Sequence, residues 1–322
     1  MQYSSLNSKN QYNLIKNISS YLSINNNQLL LLNGGDVSIN NILKTYASNN
    51  SKIIIFDPTY SQYERISNTI TNNIINLNLL SNNSDLLLDD LLLSQHTLEI
   101  NNNRILCFLC NPNNPTGYEW KEIELKRMFK KYPDILFIID ETYIDFSILS
   151  KDKSIYSCTK CINEFSNIII MRSFSKAFGL AGLRMSYLVS NYKNIKSISL
   201  ISSHKDIIEI SKIAANVILK NINFYKIQID KIIDDKNKII NFCINNEIKC
   251  INTKCNFLLI YVGEFITQIY DCFLKNNIII KDLKKTYNNE LNKYIRISVH
   301  PKYVDKIIYI LSIHINKLKK NN

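Results

Sequence analysis

Residues 168–184 read Ile-Ile-Ile-Met-Arg-Ser-Phe-Ser-Lys-Ala-Phe-Gly-Leu-Ala-Gly-Leu-Arg. A short β-branched run ends in hydroxyls, a lysine, small residues and an arginine. Continuous apolar runs of this length suit strands buried on both faces of a parallel sheet. In such sheets ligands bind beyond the carboxyl ends of the strands, so the polar groups that follow each run are the ones to read. Working outward, similar runs occur at Lys52–Phe56, Ile105–Cys110, Ile135–Asp140, Ile168–Arg172 and Tyr187–Val189. Segments with helical spacing, such as Trp120–Tyr132, lie between several of them. The alternation predicts an α/β fold with a mostly parallel central sheet covered on both faces.

From about residue 204 the pattern changes. Long helices are expected over about 204–247, then strands and helices at Asn256–Val262, Thr267–Asn276, Ile278–Lys281 and Tyr294–Val299, then an amphipathic helix over 301–319. This predicts a smaller C-terminal α+β domain. The expected division is an N-terminal segment (1–28), a large domain (29–222) and a small domain (223–322). The Asn-rich stretches around 68–83 and 101–103 read as surface loops or turns.

The 322 residues are enough for a substantial core, and 46% of them are hydrophobic, which is ordinary for a globular protein. No stretch approaches the roughly 18 apolar residues of a membrane span. The start, Met1 to Lys9, has no positive-then-apolar signal layout, so a cytoplasmic protein is expected. The formal charge of +12 is dispersed along the chain and leaves no footprint for nucleic acid. Of eight cysteines, Cys107/Cys110 and Cys158/Cys161 have a spacing that can hold zinc. Cys107 and Cys110 fall in an apolar run, however, where residues three apart point to opposite faces. Free thiols in a reducing compartment are the better reading, and no metal is expected.

The strand ends carry the chemistry. Lys176 is placed to reach a carbonyl as a free amine and form a Schiff base, and pyridoxal 5'-phosphate (PLP) is the cofactor that most often asks this of a lysine. Asp140, in Ile138-Ile139-Asp140-Glu141-Thr142-Tyr143, emerges from an apolar run and needs a partner. It would either meet a protonated pyridine nitrogen or cap the next helix. The loop Asn111-Pro112-Asn113-Asn114-Pro115-Thr116-Gly117 is stiffened by proline and supplies amide donors that could hold a ring oxygen. Asn114 and Tyr143 are the candidates for that oxygen. Ser173, Ser175 and Arg184 form a phosphate-binding set of hydroxyls and a planar fork. Asn33-Gly34-Gly35-Asp36, at the start of a helical pattern, is a small anion cradle whose backbone N–H groups can receive phosphate oxygens. Tyr60, in Asp57-Pro58-Thr59-Tyr60, could stack on a planar ring. Only six arginines occur, and Arg172, Arg184 and Arg296 lie in or beside these motifs. That bias points to roles for planar, bidentate geometry. No Gly-x-Gly-x-x-Gly follows an early strand, which argues against a nicotinamide dehydrogenase.

Together these motifs resemble the fold-type I, class I/II aminotransferases, and most of all the histidinol-phosphate aminotransferases and their relatives. The likeness runs from about residue 3 to the C-terminus. It implies a PLP-dependent transaminase with Lys176 as cofactor-linked lysine and proton shuttle. The donor would be an amino acid, plausibly glutamate, and the acceptor a keto or phosphorylated compound. The resemblance further implies that Gly35 and Asp36 face the phosphate, and that Arg296, with Asn256 nearby, clamps the substrate carboxylate. It implies a homodimer with active sites at the subunit interface, and Tyr3 is placed loosely where such proteins send a tyrosine to the partner's phosphate. Family members usually carry several dozen residues before the point where this chain begins, and that segment touches substrate. The stretch Ser202–Glu209 lacks the Arg-Pro-rich character of the histidinol-phosphate enzymes, so relatives from surface-sugar or other biosynthetic clusters fit as well. Two other readings stay open at this stage: a PLP-dependent decarboxylase of an O-phospho-amino acid, which shares these motifs, and a shortened, non-catalytic relative.

Overall fold

The structure, a computed structural model, describes residues 4–79, 104–151, 155–203, 206–283 and 290–316. Tyr3 and the Asn-rich 101–103 lie outside the described residues. A seven-stranded sheet is built from β1 (Leu29–Leu32), β2 (Lys52–Asp57), β3 (Ile74–Asn78), β4 (Ile105–Cys110), β5 (Ile135–Asp140), β6 (Ile168–Ser173) and β7 (Ser186–Val189). The spatial order is β1-β7-β6-β5-β4-β2-β3. All pairs from β3 to β6 are parallel, and β7 runs antiparallel to both β6 and β1. The sheet is therefore mostly parallel, as the apolar runs predict.

Alternation along each strand explains the continuous runs. In β4, Ile105, Cys107 and Leu109 enter one core while Leu106, Phe108 and Cys110 enter the other. β6 does the same with Ile168 and Ile170 against Ile169 and Met171. The first core is closed by the helix Ser4–Leu22 through Leu14 and Ile18, and by Glu122–Lys131 through Leu125, Met128 and Phe129. The second is closed by the helices Gly35–Tyr46, Gln62–Ser67 and Tyr192–Ser199, through Ile39, Tyr63 and Ile195 among others.

Cys107 and Cys110 thus face opposite sides of the sheet, as strand geometry requires. Two corrections apply. The segment expected as loop around 68–83 contains β3, an edge strand pairing Ile53–Asp57 with Ile74–Asn78. The four leucines of β1 also form a strand, which the sequence reading left unassigned.

The smaller C-terminal domain has a four-stranded antiparallel sheet of β8 (Cys250–Ile251), β9 (Phe257–Tyr261), β10 (Lys281–Asp282) and β11 (Tyr294–Ser298), in the order β10-β11-β9-β8. The expected strand at Ile278–Lys281 shrinks to the two-residue β10. The long helix Ile222–Asn245 bridges the two parts: Ile229 is buried in the large core, and Ile239, Ile240 and Cys243 in the small one. A close contact completes the connection: a Cβ on Gly117 (φ +73°) would collide with the Thr253 side chain.

Candidate active site

A cavity of about 120 Å³ opens at the carboxyl ends of β4, β5 and β6. Lys176, Asp140, Asn114, Tyr143, Tyr60, Ser173, Ser175, Arg184, Gly35 and Asp36 all line it. The sheet explains the convergence. β4 delivers Asn114 through the loop that follows it, β5 delivers Asp140 and Tyr143, and β6 delivers Ser173, Ser175 and Lys176. The helix from Gly35 points its N-terminus at the same space.

At one end is an anion cradle. Gly34 has φ +93°, and a Cβ there would lie 2.6 Å from Arg184 Nη2, so only glycine lets the guanidinium rest against this backbone. The space beside Gly35 is open. Ser173 Oγ accepts from the Ser175 N–H at 3.0 Å, which fixes the hydroxyl turn. The Asp36 carboxylate accepts from the Tyr60 hydroxyl at 3.0 Å. It is already engaged, so Asp36 can offer an anion only its backbone N–H.

At the other end Asp140 is buried, and its oxygens are held separately. Oδ1 accepts from the Thr142 N–H at 2.9 Å, and Oδ2 from the Tyr63 hydroxyl at 2.6 Å. The Cys110 thiol, also on the lining, is pushed up to about 12 by burial and by Asp140's charge. Lys176 sits with Nζ 5.3 Å from the centre of the Tyr143 ring. Its amine is held below the ordinary lysine range by burial first, then by the Arg296 guanidinium; Asp140 opposes the shift and Arg184 adds to it. The lysine remains reachable by solvent through the cavity mouth, so burial acts only in part, but two nearby guanidiniums push the same way.

The three asparagines of the loop have different jobs. Asn111 brackets Trp120, accepting from its N–H at 3.1 Å and donating to its carbonyl at 3.4 Å. Asn113 donates to the Pro58 carbonyl at 2.8 Å and to the Thr116 hydroxyl at 2.7 Å, and it accepts from Thr59 at 2.6 Å. Both pin the loop, and only Asn114 faces the cavity. Arg296, reaching across from β11, donates through Nη1 to Asn114 Oδ1, and its guanidinium lies 5.0 Å from the Phe257 ring centre. Its Nε is buried and has no hydrogen-bond partner among the described residues.

Asn256 is not on the cavity lining; its carbonyl accepts from the Val299 N–H at 2.8 Å. Arg172 is also away from the cavity. It alternates with Met171 on β6, so it points to the opposite face, where it binds Glu141 and Asp145. Sequence reasoning missed Tyr63 and Thr142. The Tyr60-x-x-Tyr63 spacing, which returns both rings to one side of a helical turn, was the available signal for Tyr63.

The donor set fits PLP. An open helix start with an arginine and two hydroxyls suits a phosphate. A buried carboxylate with room for another donor suits a protonated ring nitrogen, and a free-reaching amine suits an aldehyde. Comparison with known proteins now bears on the same point. The family model for aminotransferase class I and II matches residues 4–308. The chain belongs to this family.

It is a PLP-dependent aminotransferase, an enzyme of the fold its strands predicted. It is 33% identical to a histidinol-phosphate aminotransferase of Buchnera aphidicola subsp. Cinara cedri, over 95% of this chain and 84% of that one. It is 30% identical to a dihydroxyacetone phosphate transaminase of Campylobacter jejuni, over 91% and 76%. The solved histidinol-phosphate aminotransferase of Clostridium acetobutylicum superposes with a TM-score of 0.81 at 22% identity, over 96% and 90%. The same fold carries an L-threonine-O-3-phosphate decarboxylase of Porphyromonas gingivalis (TM-score 0.73, 22% identity, 92% and 89%), so the fold alone does not choose the bond broken. Among the described residues no helix is long and apolar enough to cross a membrane.

Proposed function

We propose that this aminotransferase moves an amino group from an amino acid, glutamate as the leading donor, to a phosphorylated keto compound. The support for the acceptor class is that relatives at 30% identity or more carry phosphorylated substrates in their names. The observation that carries the site reading is the meeting of Lys176, Asp140 and Arg184 on one cavity.

In this reading Arg184, Ser173, Ser175 and the N–H groups of Gly35 and Asp36 hold the cofactor phosphate. Asp140 faces the ring nitrogen, Asn114 and Tyr143 the ring oxygen, and Tyr60 the ring plane. When bound, PLP supplies an aldehyde that carries the amino group and a ring that takes up the electron pair of the breaking bond. Lys176 takes the α-proton on Nζ and returns it at the next carbon, and the burial and guanidiniums that lower its pKa favour the free base this requires. Arg296 offers its guanidinium fork to the substrate carboxylate.

We also propose a homodimer. On the helix Glu209–Lys220 the side chains of Ile210, Ile213 and Val217 form one exposed apolar row, which a second copy would cover. A cytoplasmic location goes with the cysteines, all of them free thiols.

The test is an absorbance titration of the PLP-loaded protein with glutamate and a panel of amino acids and phosphorylated amines. The wild type should lose its visible band with a subset of them and recover it with a phosphorylated keto compound. Lys176→Ala should do neither. Carbon dioxide release without a keto product would replace transamination by decarboxylation. A band that no amine changes would end the enzymatic reading of this site.

A further inference from the structure

We infer that Tyr63 is a positioning residue that holds and aims the Asp140 carboxylate, so that the cofactor is retained under mildly acidic conditions. The inference rests on the reading of Asp140 as the partner of the ring nitrogen.

Tyr63 is wholly buried, and its hydroxyl donates to Asp140 Oδ2 at 2.6 Å. The ring cannot swing away. It stacks on Phe108 of β4 (centroids 4.8 Å apart, 11° between planes) and meets the edge of Tyr60 at 5.5 Å. Its backbone N–H is tied to the Tyr60 carbonyl at 3.1 Å. The donor is therefore delivered by a preset arm from the helix Gln62–Ser67. The carboxylate it meets is buried and already has the Thr142 N–H on Oδ1.

A buried carboxylate without donors takes up a proton more readily, and a neutral acid gives no charge to a protonated ring nitrogen. Two fixed donors, one on each oxygen, oppose that and still leave a lone pair free on each oxygen. The other titratable groups near Asp140 are Cys110, Tyr60, Tyr143 and Lys176. Of these Lys176 alone brings positive charge, and its amine is the group engaged by the cofactor. Burial and Asp140's charge raise the Tyr63 phenol well above its ordinary range, so it stays a donor throughout the working pH range.

The test is equilibrium dialysis of the protein against PLP from pH 5 to 8.5, reading bound cofactor by absorbance. Tyr63→Phe keeps the stacked ring and removes only the donor. With one of the two donors to the carboxylate gone, the acid-side midpoint of retention should rise by about one pH unit. Retention near pH 8 should stay within about twofold. A packing role alone would instead lower retention equally at every pH. Asp140→Asn should weaken retention across the range, and Tyr63→Phe added to it should shift nothing further. An unmoved midpoint in Tyr63→Phe, with Asp140→Asn weakened as expected, overturns the role of Tyr63 alone. Full retention in Asp140→Asn overturns the reading of Asp140 on which it rests.

Discussion

Arg296 of the small domain donates a hydrogen bond to the side-chain carbonyl of Asn114, a residue of the large domain that lines the cavity. The contact ties β11 to the loop after β4, although the two residues are far apart in sequence. The guanidinium Nε is buried and has no hydrogen-bond partner among the described residues. A planar fork can hold Asn114 with one edge and receive a carboxylate with another, whereas a lysine is a point charge that cannot do both. Arg296→Lys should therefore lower kcat/KM for the amino-acid donor by about tenfold to a hundredfold, the range set by losing a hydrogen bond to a charged group. Most of that loss should appear in KM, since uniform binding is what is removed. Steady-state kinetics beside PLP dialysis would check it. An unchanged KM, or loss of cofactor in parallel, would contradict the assignment.

Gly34 makes a second prediction. Its backbone lies in a region that only glycine occupies comfortably, and a side chain would collide with Arg184. Gly34→Ala should cost about 1–3 kcal/mol in local strain and displace the guanidinium from the helix start. PLP affinity, measured by dialysis, should fall about tenfold or more. Gly182→Ala is the control, because nothing lies near its Cβ position and its φ is ordinary. Equal affinities for the two variants would remove Arg184 from the anion cradle.

The strands that frame the site were legible because burial on both faces writes itself as an uninterrupted apolar run, and the run stops where the chemistry begins. Asp140 and Lys176 could be picked out for that reason. β3 was hidden because an edge strand is half exposed: Ile74-Ile75-Asn76-Leu77-Asn78 carries asparagines that a central strand would exclude. β1 was hidden because four leucines have no strand bias of their own and are fixed by pairing with β7. Within the site, spacing could not say which of Asn111, Asn113 and Asn114 faces inward, since one residue's shift changes the direction. Nor could it show that Arg172 and Met171 part to opposite faces, or that Tyr63 reaches Asp140. Those depend on tertiary contacts that local pattern does not encode.

Arg172 supports the sheet from the side away from the cavity. Its Nε meets Glu141 at 2.8 Å, Nη1 meets Asp145 at 3.1 Å and Nη2 meets the Ser157 hydroxyl at 2.8 Å. Burial holds both carboxyl groups above their ordinary range, with the guanidinium opposing part of the shift. Removing the cation strands two buried carboxylates, so Arg172→Met should lower stability by about 3–5 kcal/mol in urea unfolding. Arg172→Lys should recover little, because one ammonium cannot span three acceptors placed for a fork. A loss below about 1 kcal/mol for the methionine variant would show that the network is not holding β6 to the segment after β5.

Lys236 gives the last prediction, one of pH. It is buried on the long bridging helix, and its amine donates to the carbonyls of Thr253 and Cys255. Burial lowers it to about 8. An unfolded lysine titrates near 10.4, so between these values the unfolded chain binds a proton that the folded chain does not. Stability from this group therefore rises as pH climbs from about 8 to about 10.5, by up to about 3 kcal/mol, and the penalty is fully present below pH 8. Other lysines and tyrosines titrate in the same range, so the quantity to measure is the difference in unfolding free energy between wild type and Lys236→Met at pH 7, 8, 9 and 10. That difference should drift in favour of the wild type as pH rises. Parallel curves would mean that Lys236 keeps its charge in the folded protein, with the two carbonyls stabilising an ammonium at the joint between Thr253 and Gly117.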